Sequence, residues 1–262
     1  MCFSSENALL DQLTRRKSWC HISPVNNSDN WFPEAAGFHL SEVPMSGQSP
    51  TDDETYFAKP EHLFPHLEDG KIPTEPFLSA CQGIADFVGF LGAAFSPVKA
   101  DISGNVTKVR TRFEKDRIGQ RYLQDLIDND LRDNGGKLGI ATEGLLWLKR
   151  GLEFMLEMLT LMVQEYNSSP DKSKTESLVG VINTAYERSL KRHHGFVSKQ
   201  LFKLVIHAAP YRKTILKAVA LGKEGLEDVC IEHISTHLYN FRINVKVLVD
   251  YYIEKKLDTP PC

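Results

Sequence analysis

The chain has 262 residues, 42% of them hydrophobic, which suffices for one large core or one domain with an extension. Its formal net charge of −3 offers a nucleic acid no general attraction. The five cysteines (Cys2, Cys20, Cys81, Cys230 and Cys262) are scattered and odd in number, so they suggest a reducing compartment rather than a disulfide framework.

Residues 1–71 are rich in Ser, Pro, Asn and Asp, with short apolar islands such as Trp31-Phe32 and His62-Leu63-Phe64. No helical or strand period is sustained there, so they read as a polar, flexible extension with one short helix near residues 8–15. Met1-Cys2-Phe3-Ser4-Ser5-Glu6 lacks a basic region followed by an apolar run, so no secretory signal is expected and the cytoplasm is the expected location. Order is expected to begin at Ile72, making residues 72–262 the folded domain, with Thr74 capping a helix whose first turn holds Pro76.

From there helical periods predominate, over residues 77–91, 101–117, 121–132, 142–166, 177–191, 194–209, 211–222 and 226–256. Short loops and no convincing alternating strand make the chain all-α. Residues 144–163 are apolar enough to suggest a membrane span, but Lys149, Arg150, Glu153 and Glu157 lie within them. Each charge at that depth costs about 2.5–3.5 kcal/mol, so a buried helix of a water-soluble protein is expected instead.

The chain has no G-x-S-x-G, no G-x-x-x-x-G-K-[ST], no G-x-G-x-x-G and no H-E-x-x-H. These absences weaken the common enzyme classes without excluding a rarer one, and no cofactor is implied. Cys230, His233 and His237 stand at i, i+3 and i+7, a spacing that offers three zinc ligands without a fourth, or simply a stripe of partly buried polar residues. A His–carboxylate pair from His193 or His194 with Asp101 lacks a nucleophile or metal to complete it.

Asp101, Asn105 and Lys108, at i, i+4 and i+7, share one helix face, and Trp147 follows within an apolar helix. A carboxylate accepts, an amide does both, an amine donates, and an indole offers a flat apolar wall. Together they can bind the hydroxyls and the C–H face of a sugar.

The stretch 98–109, VKADISGNVTKV, resembles the head-group motif of the glycolipid transfer protein family. Leu146-Trp147-Leu148-Lys149-Arg150-Gly151-Leu152, Leu190-Lys191-Arg192-His193-His194-Gly195-Phe196 and Ala208-Ala209-Pro210-Tyr211 resemble its second, third and fourth signatures, in order. Within the family, Ile72-Pro73-Thr74-Glu75 and Leu145-Leu146-Trp147 lean towards members in which a PH domain precedes the transfer domain, though no PH domain is visible here. The resemblance implies a two-layer helical sandwich of about eight helices enclosing a lipid, and a carrier that moves glycosphingolipids of the glucosylceramide type between membranes.

By that resemblance Asp101, Asn105 and Lys108 bind the sugar and Trp147 stacks on it, while Asp101 and His194 take the ceramide amide. Phe196, His207, Tyr211, Arg212 and Lys213 form the membrane-docking region. Phe154, Met155, Leu159, Met162, Phe202, Val205 and Ile206 are candidates for the wall of an alkyl tunnel, or ordinary core. Retention of Asn105 and Trp147 favours a neutral sugar over the phosphate bound by a related branch, since Asp101 would repel a phosphate. Phe196 stands where the family often has Trp, and the tail after Tyr251-Tyr252 does not match the family's usual C-terminus. A second expectation is a glycolipid sensor acting through the extension. Its Asp52-Asp53-Glu54-Thr55-Tyr56-Phe57-Ala58 loosely resembles an acidic tract that recruits endoplasmic-reticulum membrane proteins. A third is an enzyme acting on a sphingolipid through Asp101 and His194.

Overall fold

A computed structural model describes residues 54–258. The expected helix near residues 8–15, Trp31-Phe32 and the Asp52-Asp53 pair lie outside the described residues, as do residues 259–262. Among the described residues there are eight α-helices: α1 Thr74–Gly89, α2 Ser96–Phe113, α3 Leu123–Asp133, α4 Ile140–Ser168, α5 Val179–Arg188, α6 Phe196–Ile206, α7 Arg212–Val219 and α8 Glu227–Glu254. The only extended pairings among these residues are single bridges, Glu68 with Lys71 and Pro73 with Tyr122. The sequence-derived helices match in number and order, with ends displaced by a few residues where the chain frays.

Helix α4 is the centre of the molecule. It touches α2 and α8 extensively, α5 to one side and α3 near its start. Leu145, Leu148, Leu152, Met155, Leu159 and Met162 are all buried along it. Their spacing of three and four makes a broad apolar stripe, and Leu146, Phe154 and Leu156 widen it. Helix α2 starts where Pro97 fits the first turn, after Gly92 has reversed the chain at φ +94°, a left-handed conformation that disfavours any side chain.

Thr74 does not cap α1. The helix begins at Thr74 itself behind Pro73, and the Thr74 hydroxyl donates 2.8 Å to the Gln120 carbonyl. Its N–H donates to the Arg121 carbonyl at 2.8 Å, so Thr74 ties α1 to the loop before α3.

Order also begins earlier than the composition suggests. The described chain starts at Glu54, and Tyr56, Phe57 and Phe64 are buried in the core. Phe64 stacks on Phe241 of α8 at 4.3 Å between ring centroids, and Phe57 meets Phe87 of α1 at 5.1 Å. The Tyr56 hydroxyl donates 2.7 Å to the Gly83 carbonyl, and Asn244 Nδ2 donates 2.8 Å to the Pro65 carbonyl. A segment of low overall hydrophobicity thus folds because its few aromatics all point inward. The same burial removes Tyr56 and Phe57 from any acidic recruitment tract, whose aromatics must be exposed to a partner.

The zinc spacing on α8 comes apart for the same reason. Cys230 lies against the Leu216 carbonyl at 3.6 Å, His233 Nδ1 is 3.0 Å from the Thr55 hydroxyl, and His237 is enclosed by Phe57, Phe64 and Phe241. Among the described residues no three His, Cys, Asp or Glu side chains are placed to hold a metal ion, and no helix is long and apolar enough to cross a membrane.

Because Phe57 is 1% exposed and wedged between α1 and α8, Phe57→Ala should cost about 3–5 kcal/mol of folding stability. Urea unfolding of the full chain checks this; a loss below about 1 kcal/mol would mean that the segment 54–64 only rests on the surface.

Candidate functional site

The three polar residues of α2 form one hydrogen-bonded chain. Lys108 Nζ donates 2.9 Å to Asn105 Oδ1, and Asn105 Nδ2 donates to Asp101 Oδ2 at 3.4 Å. Asn105 is buried, while Asp101 and Lys108 keep solvent-exposed surface. Although exposed at its rim, the Asp101 carboxyl is crowded enough that desolvation raises its pKa, against the Lys108 charge and the Asn105 hydrogen bond. Ser103 and Thr107, on the opposite side, are turned to their own helix or its neighbours; Thr107 bonds the Ser103 carbonyl at 2.9 Å.

Gly144 of α4 lets this chain meet the central helix. A Cβ at that position would stand 3.1 Å from Lys108 Cδ and 3.2 Å from Lys108 Cβ, so the lysine stem lies across the space that glycine leaves. Trp147 follows one turn later and is half-buried. The Arg150 guanidinium, a further turn along, lies 4.8 Å from the Trp147 ring centroid, in cation–π range. The Lys108 end of the trio thus meets α4 at Gly144, one turn before Trp147.

The C-terminal segment reaches Arg150 and Lys149. Asp258 accepts from Arg150 Nη2 at 2.6 Å and from Lys149 Nζ at 2.8 Å, and Lys149 also donates 3.1 Å to Glu153. Burial pushes the Asp258 carboxyl up, but the hydrogen bond from Arg150 and the charge of Lys149 overcome this and hold it well below the carboxylate range. Sequence reasoning missed Lys149, Arg150, Glu153 and Asp258 as a unit, because Asp258 is more than a hundred residues away from its partners.

His194, in the loop before α6, sits 3.1 Å through Nδ1 from the Tyr186 hydroxyl of α5. Burial, followed by the charges of Lys199 and Arg150, lowers its pKa to about 4. Burial and the Arg150 and Arg192 charges lower His193 further, to about 3, and Arg192 Nε donates to its Nε2 at 2.9 Å. The two imidazoles are therefore neutral at pH 7, suited to hydrogen bonding rather than to holding charge.

The residues expected at a membrane surface divide. Phe196 is 77% exposed and Tyr211 62%, with His207 and Lys213 exposed beside them. Arg212 is buried instead: it pairs with Glu176 at 2.6 Å, donates 3.0 Å to the Lys172 carbonyl and lies 4.7 Å from the Tyr166 ring. It anchors α7 and has no charge to offer a lipid phosphate. Val197, Leu201 and Leu204 of α6 are exposed and were missed. Their signal was present: all of FVSKQLFKLVI but Ser198, Lys199, Gln200 and Lys203 is apolar, a wider apolar face than one buried side requires. The inward side of α6 rests on Phe202, stacked on Tyr186 at 3.6 Å and edge-on to Phe154 at 5.8 Å.

A family model described as glycolipid transfer protein matches residues 72–221. The glycolipid transfer protein of Danio rerio is 33% identical over 203 residues, covering 76% of this chain and 95% of that protein. Among solved structures, the fold that FAPP2 uses to select simple glycosphingolipids superposes with a TM-score of 0.69 at 28% identity, covering 79% of this chain and 98% of the other. Human ceramide-1-phosphate transfer protein, in complex with a ceramide-1-phosphate, shares the fold with a TM-score of 0.62 at 18% identity, covering 79% and 96%.

A histidine kept neutral in the fold but free to protonate when unfolded loses stability for the native state as pH falls below its unfolded pKa of about 6.5. The loss continues down to the folded values, about 4 for His194 and about 3 for His193. Urea unfolding between pH 7 and pH 4 should show stability falling with acid, and less steeply in His194→Gln than in the parent. Equal slopes would mean that His194 is solvated in the native state.

Proposed function

The chain belongs to the glycolipid transfer protein family, and we propose that it carries glycosphingolipids with a small neutral sugar head group, of the glucosylceramide type, between cytosolic membrane faces. The observation that carries this reading is the Asp101–Asn105–Lys108 hydrogen-bonded chain laid across Gly144 one turn from Trp147. Proteins of this family are carriers, so the reaction is transport rather than catalysis.

The physical problem is the lipid's hydrocarbon. Two alkyl chains of a sphingolipid hold on the order of 30 methylenes, and exposing them to water costs roughly 20 kcal/mol. Helices α4, α5 and α6 offer an apolar replacement for the bilayer, with Phe154, Met155, Leu159, Met162 and Ile206 buried and Phe202 and Val205 half-buried between them. Lipid tails entering there would displace the Phe202 contacts, which join α6 to the body.

The head group requires directional contacts. Asp101 accepts from sugar hydroxyls and from the ceramide amide N–H, Asn105 donates and accepts, and Lys108 donates. These groups satisfy one another, so a sugar exchanges hydrogen bonds instead of meeting unpaired polar atoms. Neutral His194 can donate to the ceramide carbonyl while Tyr186 holds the other ring nitrogen. The apolar outer face of α6, with Phe196 and Tyr211 at its ends and His207 and Lys213 beside it, suits shallow insertion among lipid head groups.

Two experiments test the parts separately. Because a hydrogen bond to a charged group contributes about 1.5–3 kcal/mol, Asp101→Val and Trp147→Ala should each slow glucosylceramide transfer between vesicles by ten-fold or more, with an unchanged helical circular dichroism spectrum. Transfer at the parent rate by both would remove the head-group site. Leu204→Glu, placing a charge where a side chain is 71% exposed, should weaken vesicle binding about ten-fold while leaving affinity for a detergent-dispersed glucosylceramide as it was. Undiminished vesicle binding would move the docking face elsewhere.

A further inference from the structure

Asp258, in the segment after α8, is enclosed by cations. Its side chain is 2% exposed, as is that of Lys149, and both oxygens are engaged, Oδ1 by Arg150 Nη2 at 2.6 Å and Oδ2 by Lys149 Nζ at 2.8 Å. Arg150 Nε approaches Oδ2 as well, at 3.4 Å, giving the forked approach that a guanidinium makes to a planar oxyanion. Glu153 completes a group of two cations and two carboxylates, and its second oxygen, Oε1, is buried without a partner. Through Arg150 this group abuts the Trp147 ring.

A lysine and an arginine converging on one small anion beside the head-group platform make a seat for a phosphate as readily as for a carboxylate. The fold itself does not forbid that ligand, since human ceramide-1-phosphate transfer protein shares it. In this chain the tail supplies the anion. We infer that Asp258 is a specificity-determining residue: it fills the oxyanion seat formed by Lys149 and Arg150 beside Trp147, and so turns away sphingolipids whose head group is a phosphate, while a neutral sugar has no need of that seat.

The other basic side chains near this place are engaged or neutral: Arg192 donates to His193 Nε2 at 2.9 Å. His193 and His194 are held neutral by burial and by Arg150 itself. Lys108 is tied to Asn105, and the adjacent Asp101 carboxylate repels a phosphate. A phosphate therefore has to expel Asp258, and the exchange of one anion for another gains little. This inference rests on the carrier reading above and sharpens its ligand class.

The test compares two fluorescent lipids, glucosylceramide and ceramide-1-phosphate, moving from phosphatidylcholine donor vesicles to unlabelled acceptors with the full chain. The readout is the ratio of the two transfer rates, which a merely destabilising change does not alter. Asp258→Asn should raise the ratio in favour of ceramide-1-phosphate by about 10- to 100-fold, the range expected for a gained hydrogen bond to a charged group. Adding Arg150→Gln to Asp258→Asn should abolish the gain. The first variant leaves neither cation stranded, because Lys149 keeps Glu153 and Arg150 keeps the Trp147 ring. If its circular dichroism spectrum nevertheless shows loss of helix, Lys149→Gln/Asp258→Asn takes its place, with an amide that still donates to Glu153 and Arg150 left to receive the phosphate. A parent protein that already moves both lipids equally, or a folded variant that moves glucosylceramide with no gain for ceramide-1-phosphate, overturns the inference alone. A parent that moves neither lipid overturns the carrier reading and the inference with it.

Discussion

Helix α4 is buried around so much of its circumference that nearly all the polar groups it turns inward, Glu153 Oε1 excepted, find a partner inside the protein. Thr142, in its first turn, gives both its N–H and its hydroxyl to Asp130 of α3, at 2.9 and 2.7 Å, and its carbonyl accepts from Tyr252 of α8 at 2.8 Å. Gly144 gives up its side chain to Lys108 of α2. Lys149 pairs with Glu153 and also with Asp258 of the tail. Neighbours of α4 are thereby fixed by directional contacts as well as by apolar packing, and the polar chain on α2 inherits that precision.

The same constraint explains the charge pattern of the site. Burying an ion pair gains little net stability, because desolvation offsets most of the attraction, whereas breaking one leaves a charge stranded at a cost of about 3–5 kcal/mol. The Lys149–Arg150–Glu153–Asp258 group is balanced in this sense, and so is the Arg212–Glu176 pair that roots α7. His193 and His194 avoid the problem by remaining neutral. What results is a region dense in polar atoms with little uncompensated charge, an environment that favours hydroxyls over ions.

Helix α6 is the counterpart. It shows an apolar surface to solvent at Phe196, Val197, Leu201 and Leu204, and meets the body chiefly through Phe202 and the buried Ile206. A helix with so little holding it costs little to displace. The aromatic cluster of Tyr56, Phe57 and Phe64 shows the opposite case, in a polar stretch held tightly by three inward rings. Composition averaged over residues 1–71 hid that cluster, just as helical periodicity alone did not say which side of α6 would face water.

The sequence by itself determined the number and order of the helices, since apolar spacing of three and four is a local property that any soluble environment enforces. It also determined that Asp101, Asn105 and Lys108 would share a face, because that follows from the pitch of one helix. Tertiary structure alone decided which of the basic residues in the expected docking region face solvent: Arg212 is inward and Lys213, its neighbour, outward. It alone brought Asp258 onto Lys149 and Arg150, and Thr55 onto His233. Such contacts join residues far apart in the chain, and no period or propensity encodes them; they exist because the packed helices leave a buried charge or a gap at one place, and whichever segment can reach it there is held.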